Sequence, residues 1–432
     1  MKLSTQPYKG ARDFYPEDKR LQNYIFSIWS KTAVSFGYEQ YDAPIIEPVE
    51  LYLSKTSDEI VNEQTYSFED RGGRKVTLRP EMTPTVSRMV AARRQELGYP
   101  LRLFSMPNVW RYERPQKGRL REHWQLNVDL FGVESLAADH EVILLANQIM
   151  LNFGAKPSSF EIRLNSRGLV NYILTDLLGL NQQLASQVIR LVDKKSKMPN
   201  DLFEDNMFSL FGGNEESATK LLDILTAKKI VELPEIVKEQ EVAKKLLELT
   251  NMLQKSGVES LVFDPSLMRG FDYYTDIVFE IFDSTAENKR SLFGGGRYDG
   301  LVGSFGVDPL PTVGFGMGDV TIQDFLTSHN LLPNLTNGVD SCVVIIGDEQ
   351  VYAEAVGTIN QLRAGGLNIA VDFSNRKIDK KVTVAQKKGY KNIIFIGQEE
   401  LSNQNYKLKN LNSGQEQSLK LDDLISVLRQ QK

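Results

Sequence analysis

The spacing of hydrophobic residues in the first third of the chain predicts alternating helices and strands. Leu21, Ile25 and Trp29 recur at helical spacing after Pro16, whose fixed backbone angle favours the start of a helix. The segments that follow are shorter and rich in β-branched and aromatic residues, which is typical of strands. The pattern predicts strands or hairpins at 38–46, 66–80, 102–112 and 123–131, and helices at 83–97 and 139–153.

The pattern changes twice further along the chain. Residues 166–258 form leucine-rich amphipathic runs with little strand character, so we predict an inserted helical domain there. Strands return at 272–282, and residues 326–339 have the composition of a linker. The last part alternates, with strands predicted at 343–346, 367–371 and 393–396 and helices at 350–364 and 379–388. This alternation predicts a small β-α-β-α-β domain with a parallel core.

Composition narrows the possible classes of function. The chain has 432 residues and carries 51 Lys and Arg against 56 Asp and Glu, a net charge of -5. That balance argues against a protein that coats nucleic acid non-specifically, so any RNA site should be a local basic patch. The single cysteine, Cys342, excludes an internal disulfide and a cysteine metal cage, and the three histidines are too far apart for a helical ligand pair. With no targeting segment and no apolar run near ~18 residues, we expect a soluble cytoplasmic protein without a metal site.

The segment 111–121 is the most informative for chemistry. It contains five cations and one carboxylate, Glu113, in eleven residues between two predicted strands. Arginine guanidinium groups bind phosphate oxygens in a bidentate manner, so such a loop could clamp a polyphosphate or the end of an RNA. A solvated basic hairpin is the other interpretation, and composition does not separate the two.

Three further segments place polar or aromatic residues at the ends of predicted elements. Glu81 and Thr83 lie where a strand gives way to a helix, and they could hold a substrate ammonium or simply cap the helix. Tyr273 and Tyr274 could line a pocket for a planar heterocycle or belong to the core. The glycines of 294–300 match neither G-x-G-x-x-G nor the P-loop spacing, and they indicate close approach of a ligand or a neighbouring strand.

Together and in this order, these segments resemble the histidyl-tRNA synthetase family, which belongs to the class II aminoacyl-tRNA synthetases. The resemblance extends over essentially the whole chain, and the Arg-Pro-Gln-Lys-Gly-Arg string at 114–119 is highly specific to the family. The other matching segments are 37–47 (motif 1), 103–131 (motif 2), 268–275 and 291–300 (the two histidine signatures) and 314–320 (the place of motif 3).

The resemblance implies a fold and an activity. The implied fold is α+β, with an antiparallel sheet flanked by helices in a class II catalytic domain at 1–325. The catalytic domain contains a helical insertion at 166–258. It is followed by a linker at 326–339 and a C-terminal α/β anticodon-binding domain at 340–432. As a histidine–tRNA ligase, such a chain would convert L-histidine and ATP to histidyl-adenylate and transfer the histidyl group to the 3' end of tRNA-His. Mg²⁺ would accompany ATP, and we expect a homodimer with no membrane partner.

The resemblance also implies roles for individual residues. Arg111 would bind the α-phosphate and the carboxylate being activated, with Arg269 opposite, and these two form the implied catalytic pair. The implied histidine-binding residues are Glu81, Met82, Thr83, Arg111, Gln125, Asp129, Arg269, Tyr273 and Tyr274, with Asp129 and Tyr274 on the imidazole. The implied ATP-binding residues are Arg111, Glu113, Arg119 and Arg121. The tRNA-binding residues are Arg114 and Gln116 at the acceptor end and Arg376, Lys377, Lys380 and Lys381 in a basic segment, 376–391, of net charge +6.

One departure from the family pattern concerns ATP. Motif 3 of the family usually contains Gly-x-Glu-Arg, whereas this chain has Gly318, Asp319 and Val320 there, followed by Thr321. The arginine that contacts adenine and the triphosphate in the family is therefore absent. Either another cation, Arg297 or Arg119, supplies the contact, or ATP binding is weaker.

Two other classes of protein are alternatives. The first is a non-catalytic paralogue such as the regulatory subunit of ATP phosphoribosyltransferase, which characteristically lacks the anticodon domain that this chain retains. The second is a synthetase-like module that senses uncharged tRNA, which usually accompanies an effector domain for which no segment is left over here. The missing motif 3 arginine is the one feature that favours the first alternative.

Overall fold

A computed structural model describes residues 3–53, 65–116, 118–195, 198–268, 273–285 and 291–431. The chain divides into two compact units. The N-terminal unit comprises Met1–Asp13 and Gln22–Leu332, and the C-terminal unit comprises Phe14–Leu21 and Pro333–Lys432. Among the helices of the described ranges, none is long and apolar enough to span a bilayer.

A nine-stranded sheet forms the centre of the N-terminal unit. Its strands are β1 (Glu39–Gln40), β5 (Leu101–Ser105), β6 (Asn108–Trp110), β7 (Glu122–Phe131), β8 (Phe160–Ser166), β9 (Leu261–Phe263), β10 (Ile277–Asp283), β11 (Ser291–Arg297) and β12 (Thr312–Gly318). Their order is β1-β5-β7-β12-β11-β10-β8-β9, with β6 paired to β7. Neighbours from β5 to β8 are antiparallel, and only the outer pairs β1–β5 and β8–β9 are parallel. The predicted antiparallel sheet is therefore confirmed.

A second, three-stranded sheet confirms the hairpin predicted at 66–80. It contains β2 (Ile46–Pro48), β3 (Tyr66–Glu69) and β4 (Lys75–Leu78) in the order β2-β4-β3. The Asp70 carboxylate accepts hydrogen bonds from the backbone N–H groups of Gly72 and Arg74, which fixes the turn. The strand predicted at 38–46 is shorter than expected, because only Glu39–Gln40 pair before Pro44, which has no N–H to donate to a ladder.

Helices flank the large sheet. They are α1 (Pro16–Ser35), α2 (Glu50–Leu53), α3 (Thr83–Ala92), α4 (Leu136–Asn152) and, after the last strand, α11 (Asp319–Ser328). The long helix α4 buries Val142, Leu145 and Ile149 completely, which explains its high apolar content. Helix α3 ends five residues before the predicted boundary at 97, while the helix predicted at 139–153 begins three residues early.

The segment predicted to be a helical insertion is helical where it is described. Its helices are α5 (Arg167–Asn171), α6 (Gln182–Val192), α7 (Asn200–Leu210), α8 (Glu215–Ile224), α9 (Glu235–Lys238) and α10 (Glu241–Lys255), with a π-helical turn at Tyr172–Leu177. Helix α6 buries Ala185, Val188 and Val192, and α10 buries Leu246, Leu249 and Leu253. These spacings of three and four residues produce one apolar stripe on each helix.

The C-terminal unit is an α/β domain, as predicted. Its sheet has the order β14-β13-β15-β16-β17, formed by β13 (Ser341–Ile346), β14 (Ile369–Asp372), β15 (Asn392–Gly397), β16 (Tyr406–Asn410) and β17 (Glu416–Leu419). Strand β13 is parallel to β14 and β15, and the last two strands, which the sequence did not indicate, are antiparallel. The helices are α12 (Glu349–Ala364), α13 (Ile378–Lys387), α14 (Gln398–Asn403) and α15 (Leu421–Gln430). Val343 and Val344 belong to hydrophobic clusters on opposite faces of β13, which explains its unbroken apolar run.

Candidate active site

A cavity of about 1170 Å³ lies in the N-terminal unit against strands β7, β10, β11 and β12. Glycines on two of these strands contribute to its wall, including Gly294, Gly295, Gly314 and Gly316. A Cβ at Gly314 would lie 2.6 Å from Asp129 Oδ1 and 2.9 Å from Tyr298 Oη, and one at Gly316 would overlap Gln125 Nε2. The glycines therefore let polar side chains of neighbouring strands approach the cavity floor.

Six of the predicted histidine-binding residues line this cavity together: Arg111, which is described with the basic loop below, and five others. These five are Glu81, Thr83, Gln125, Tyr273 and Tyr274. The Tyr273 hydroxyl donates a hydrogen bond to Glu81 Oε2 at 3.0 Å, although the two residues are 192 positions apart. Burial, followed by the nearby Glu81 charge, raises the pKa of Tyr273, so the phenol stays protonated and remains a donor.

The helix-cap alternative for this segment is not what the structure shows. The residue at the N-cap of α3 is Met82, and no side chain caps that helix end. Glu81 and Thr83 are nevertheless almost fully buried, which leaves their polar atoms facing the cavity side of the helix start. Met82 itself is completely buried and does not line the cavity, and its contact with histidine stays a prediction.

Asp129 lies next to the cavity, on the same face of β7 as the lining residue Gln125, but it is not itself among the lining residues. It is 1% exposed on β7, paired in register with Gly314, and its Oδ1 accepts a hydrogen bond from the Tyr298 hydroxyl. Oδ2 has no hydrogen-bond partner among the described residues. Burial raises the pKa of Asp129 to about 7, against the smaller lowering effect of the Tyr298 bond. The carboxyl group is thus buried, with one oxygen that has no partner in the described part of the chain.

Tyr298 is a site residue that the sequence did not single out. It lines the cavity, is 1% exposed, and packs edge-to-face on Tyr273 at 5.5 Å and on Tyr274 at 6.3 Å. The sequence feature that could have indicated Tyr298 is its position in the glycine-rich segment, two residues after Gly296. Because Gly296 has no side chain, the Tyr274 ring can pack against it. Strand alternation puts both positions on one face.

The basic loop contributes only part of its charge to the cavity. Arg111, Glu113 and Arg119 line it. The Arg111 Nε donates to the Pro80 carbonyl at 2.9 Å, and Arg119 Nη1 lies 3.3 Å from Glu113 Oε2. The first bond fixes the orientation of the Arg111 guanidinium at the cavity wall.

Other loop residues lie elsewhere. The guanidinium of Arg121 lies 4.2 Å from the centre of the Tyr112 ring and donates to the Glu113 carbonyl and the Tyr8 hydroxyl. It does not line the cavity, and its contact with ATP stays a prediction. Arg114 and Gln116 are exposed outside the cavity, where an acceptor end could reach them. The catalytic role predicted for Arg269 falls outside the described residues.

The place expected to hold the motif 3 arginine is uncharged. Val320 and Thr321 line the cavity there, and the neighbouring Asp319 pairs with Arg12 at 2.6 Å. The candidate replacement Arg297 does not line the cavity. It is 4% exposed and makes a buried ion pair with Asp139, which rules it out as a ligand of ATP.

Two further groups at the cavity were not indicated by the sequence. Burial, reinforced by the charges of Arg111 and Arg12, lowers the pKa of His123 to about 3, so this ring is neutral where it lines the wall. The insertion supplies the cations Arg167, Arg190 and Lys194 to the same cavity. Among the residues that the structure describes, no group of three or more His, Cys, Asp or Glu could hold a metal ion.

The basic segment of the C-terminal unit has a mixed outcome. Arg376, Lys377 and Lys380 are exposed, but Lys381 is 3% exposed and its Nζ donates to the Ile345 carbonyl at 2.6 Å. Lys381 therefore stabilises the fold, and its predicted contact with tRNA is corrected.

An exposed aromatic pair lies at the edge of the C-terminal sheet where this basic segment begins. Phe373, just after β14, is 66% exposed, and its ring is 5.5 Å from that of Tyr352 in the first turn of α12. The sequence reasoning missed this pair. Its only signal was that both rings follow the carboxyl ends of neighbouring parallel strands.

Comparisons with known proteins agree with these features. Residues 10–319 match the family model for histidyl-tRNA synthetase, and residues 340–431 match the model for an anticodon-binding domain. The chain is 42% identical to a histidine–tRNA ligase of Leptospira biflexa over 100% of this chain and 98% of the relative. It is 36% identical to one of Thermoplasma volcanium, covering 99% of both chains. The crystal structure of histidyl-tRNA synthetase from Nostoc sp. PCC 7120 has the same fold, with a TM-score of 0.83 over 100% of both chains at 23% identity.

Proposed function

Because the chain belongs to the histidyl-tRNA synthetase family, it is an aminoacyl-tRNA ligase for histidine, and we propose that histidine and ATP react in the cavity of the N-terminal unit. The relatives that match nearly the whole chain are named histidine–tRNA ligases, so the regulatory-subunit alternative is not favoured. The observation that carries the proposal is that Glu81, Tyr273, Gln125 and Arg111 all line one cavity.

In the proposed complex, two buried carboxylates recognise histidine. Glu81, with Thr83 and Gln125 beside it, binds the α-ammonium group, and the Tyr273 hydroxyl holds the Glu81 carboxylate in place. Asp129 Oδ2 accepts a hydrogen bond from an imidazole N–H, while Tyr298 fixes Oδ1. An apolar amino acid would leave these buried groups unpaired, which costs far more than a lost contact in an apolar pocket.

Adenylate formation then depends on position and charge. A carboxylate oxygen of histidine attacks the α-phosphorus of ATP, the bond to the β-phosphate oxygen breaks, and pyrophosphate leaves. Arg111, oriented by its bond to Pro80, stabilises charge on the α-phosphate, and we assign Arg269 the opposite side from the family resemblance. Glu113 and Arg119 contact ATP from the basic loop. Mg²⁺ enters with ATP and is held mainly by phosphate oxygens, with Glu113 the carboxylate nearest the loop cations.

Transfer to tRNA uses surfaces outside the cavity. A hydroxyl of the terminal ribose attacks the activated carbonyl carbon, and AMP leaves. Arg114 and Gln116 contact the acceptor end, and the 166–258 insertion contacts the acceptor stem. In the domain at 340–432, Arg376, Lys377 and Lys380 contact the anticodon loop, and the exposed Phe373 ring stacks on an unpaired base.

We further propose that the protein acts as a cytoplasmic homodimer. The segment 37–47 resembles motif 1, which forms the dimer interface in the family. Ile46, near the end of this segment, is an apolar residue that is 46% exposed. Such a side chain is suited to an interface between copies of the chain.

The activity is tested with two assays on the whole chain. Exchange of labelled pyrophosphate into ATP should require histidine, and tRNA-His should then accept labelled histidine. Each of the other amino acids serves as a control for the first assay, and none should support comparable exchange. Histidine binding without exchange would overturn the proposal, and exchange without charging would restrict it to the first step.

A further inference from the structure

We propose that the insertion completes the ATP site, with Arg190 and Lys194 binding the triphosphate in place of the missing motif 3 arginine. The inference rests on the proposed function and deepens it, because it assigns to this cavity a polyphosphate subsite built by a second structural element.

Helix α6 and the turn after it face the cavity with one side. Ser186, Ile189, Arg190, Asp193 and Lys194 line it, at intervals of three and four residues. The turn continues the helical path, since the Lys194 N–H donates to the Leu191 carbonyl at 3.0 Å. Residues at these intervals lie on one face of a helix.

The opposite face of α6 is fixed by packing. Ala185, Val188 and Val192 are buried at 8%, 0% and 3% exposure. Rotating the helix to take Arg190 out of the cavity would expose this apolar stripe to water. The rotation of the helix, and with it the direction of Arg190, is therefore set by the insertion's own core.

The charges around the cavity leave a role for these two cations. In the described part of the chain, five cations line it, namely Arg111, Arg119, Arg167, Arg190 and Lys194, together with the acidic residues Glu81, Glu113, Asp193 and Glu280. Arg111 is oriented at the proposed α-phosphate position, Arg119 pairs with Glu113, and Arg167 donates to the Met268 carbonyl at 3.3 Å. The remaining two lie one helical turn apart, which is a spacing suited to the β- and γ-phosphates of one nucleotide.

The strand side of the cavity lacks such a cation where it is described. Val320 and Thr321 are uncharged, and Arg297 is held by Asp139. Phosphates of the tRNA acceptor end have the same chemistry as those of ATP. We assign the pair to ATP because Arg190 and Lys194 share one cavity with Arg111 and Arg119, whereas Arg114 and Gln116 offer contacts for RNA outside it.

The test compares Arg190→Gln/Lys194→Gln with the wild-type chain in pyrophosphate exchange without tRNA. We expect KM for ATP to rise about 10- to 100-fold, as for loss of charge-assisted hydrogen bonds, and KM for histidine to stay within about twofold. Lys245→Gln is the matched control, since Lys245 is exposed on α10 of the same insertion and does not line the cavity. Adding Val320→Arg to the double variant should lower KM for ATP again.

The outcomes separate this proposal from the proposed function. Absence of exchange by the wild-type chain would count against the function itself. A folded double variant with an unchanged KM for ATP would overturn the assignment. Normal exchange combined with a higher KM for tRNA in charging would also overturn it, because Arg190 and Lys194 would then bind the acceptor end. Circular dichroism checks folding, and the two single variants, each expected to raise KM for ATP severalfold, replace the double variant if it unfolds.

Discussion

Replacing Asp129 by Asn should separate recognition of the imidazole from every other step. The two side chains have nearly the same volume, so the packing against Gly314 and the contact with Tyr298 are retained. What changes is Oδ2, the carboxylate oxygen that has no partner in the described part of the chain. Above the Asp129 pKa of about 7, the substitution replaces a charged acceptor at that position by a neutral amide.

The expected loss follows from the burial of this oxygen. A hydrogen bond to a charged group contributes about 1.5–3 kcal/mol, which corresponds to about a 10- to 150-fold fall in kcat/KM for histidine. Asp129 is only 1% exposed, so the upper half of that range is expected. KM for ATP should not change, because the proposed contact of the residue is with the imidazole alone.

The same variant makes a second prediction about stability and pH. Burial raises the pKa of Asp129 from 3.8 to about 7, so between these values the folded chain holds a proton that the unfolded chain releases. The free energy of unfolding of the wild type therefore falls as pH rises, by about 2–3 kcal/mol between about pH 5 and about pH 8 from this group. Asp129→Asn lacks the titration, so its stability relative to wild type should increase over this window. Burial also raises the pKa of Glu280 to about 7, but that effect is common to both proteins.

The measurements are histidine and ATP titrations in pyrophosphate exchange, and urea unfolding at the two pH values. A folded Asp129→Asn protein with a normal KM for histidine would refute the role of Oδ2. A higher KM for ATP with a normal KM for histidine would show that the residue contacts ATP and not histidine. If the stability difference between the two proteins does not change with pH, the pKa of the Asp129 carboxyl is not raised by folding. That result would not bear on its role in binding.

Three further predictions address the other contacts. Tyr273→Phe removes the donor to Glu81, so KM for histidine should rise about 2- to 12-fold for a hydrogen bond of about 0.5–1.5 kcal/mol, with KM for ATP as the control. Phe373→Ala should raise KM for tRNA about 5- to 150-fold, the range for one stacked base, whereas Phe373→Trp should stay near wild type and both should exchange pyrophosphate normally. Lys380→Ala should weaken tRNA binding and its salt dependence, while Lys381→Ala should lower the unfolding free energy by about 1–3 kcal/mol and leave tRNA affinity unchanged. Equal tRNA defects in folded Lys380 and Lys381 variants would contradict the buried role of Lys381.

Local elements were predicted well where a local signal determines them. The turn of the hairpin at 66–80 is fixed by a hydrogen bond that the Asp70 side chain accepts within the turn, and the first helix starts at the predicted proline. Errors occurred where contacts with a neighbouring strand determine the structure of a segment. The segment predicted as one strand at 102–112 is divided into β5 and β6. In the C-terminal sheet, β16 pairs with the edge of β15, and β17 then pairs with β16.

The candidate site shows the same division. Glu81, Thr83, Tyr273 and Tyr274 stood out because each lies in a short polar or aromatic motif, and the structure brings them to one cavity. Lys381 stood out for its charge alone, but charge does not reveal whether a lysine faces water or a backbone carbonyl. That depends on the rotation of α13 against its sheet.

The sequence by itself determined the order of most helices and strands, the cationic character of the basic loop and, through linear motifs, the family. These are properties of neighbouring residues, and periodicity or spacing records them directly. Only the tertiary structure decided which distant groups meet. Asp129 and Tyr298 are 169 positions apart, and Arg297 and Asp139 are 158 apart. Such pairs depend on strand register and burial, because an ionisable group changes role when the packed sheet removes it from water.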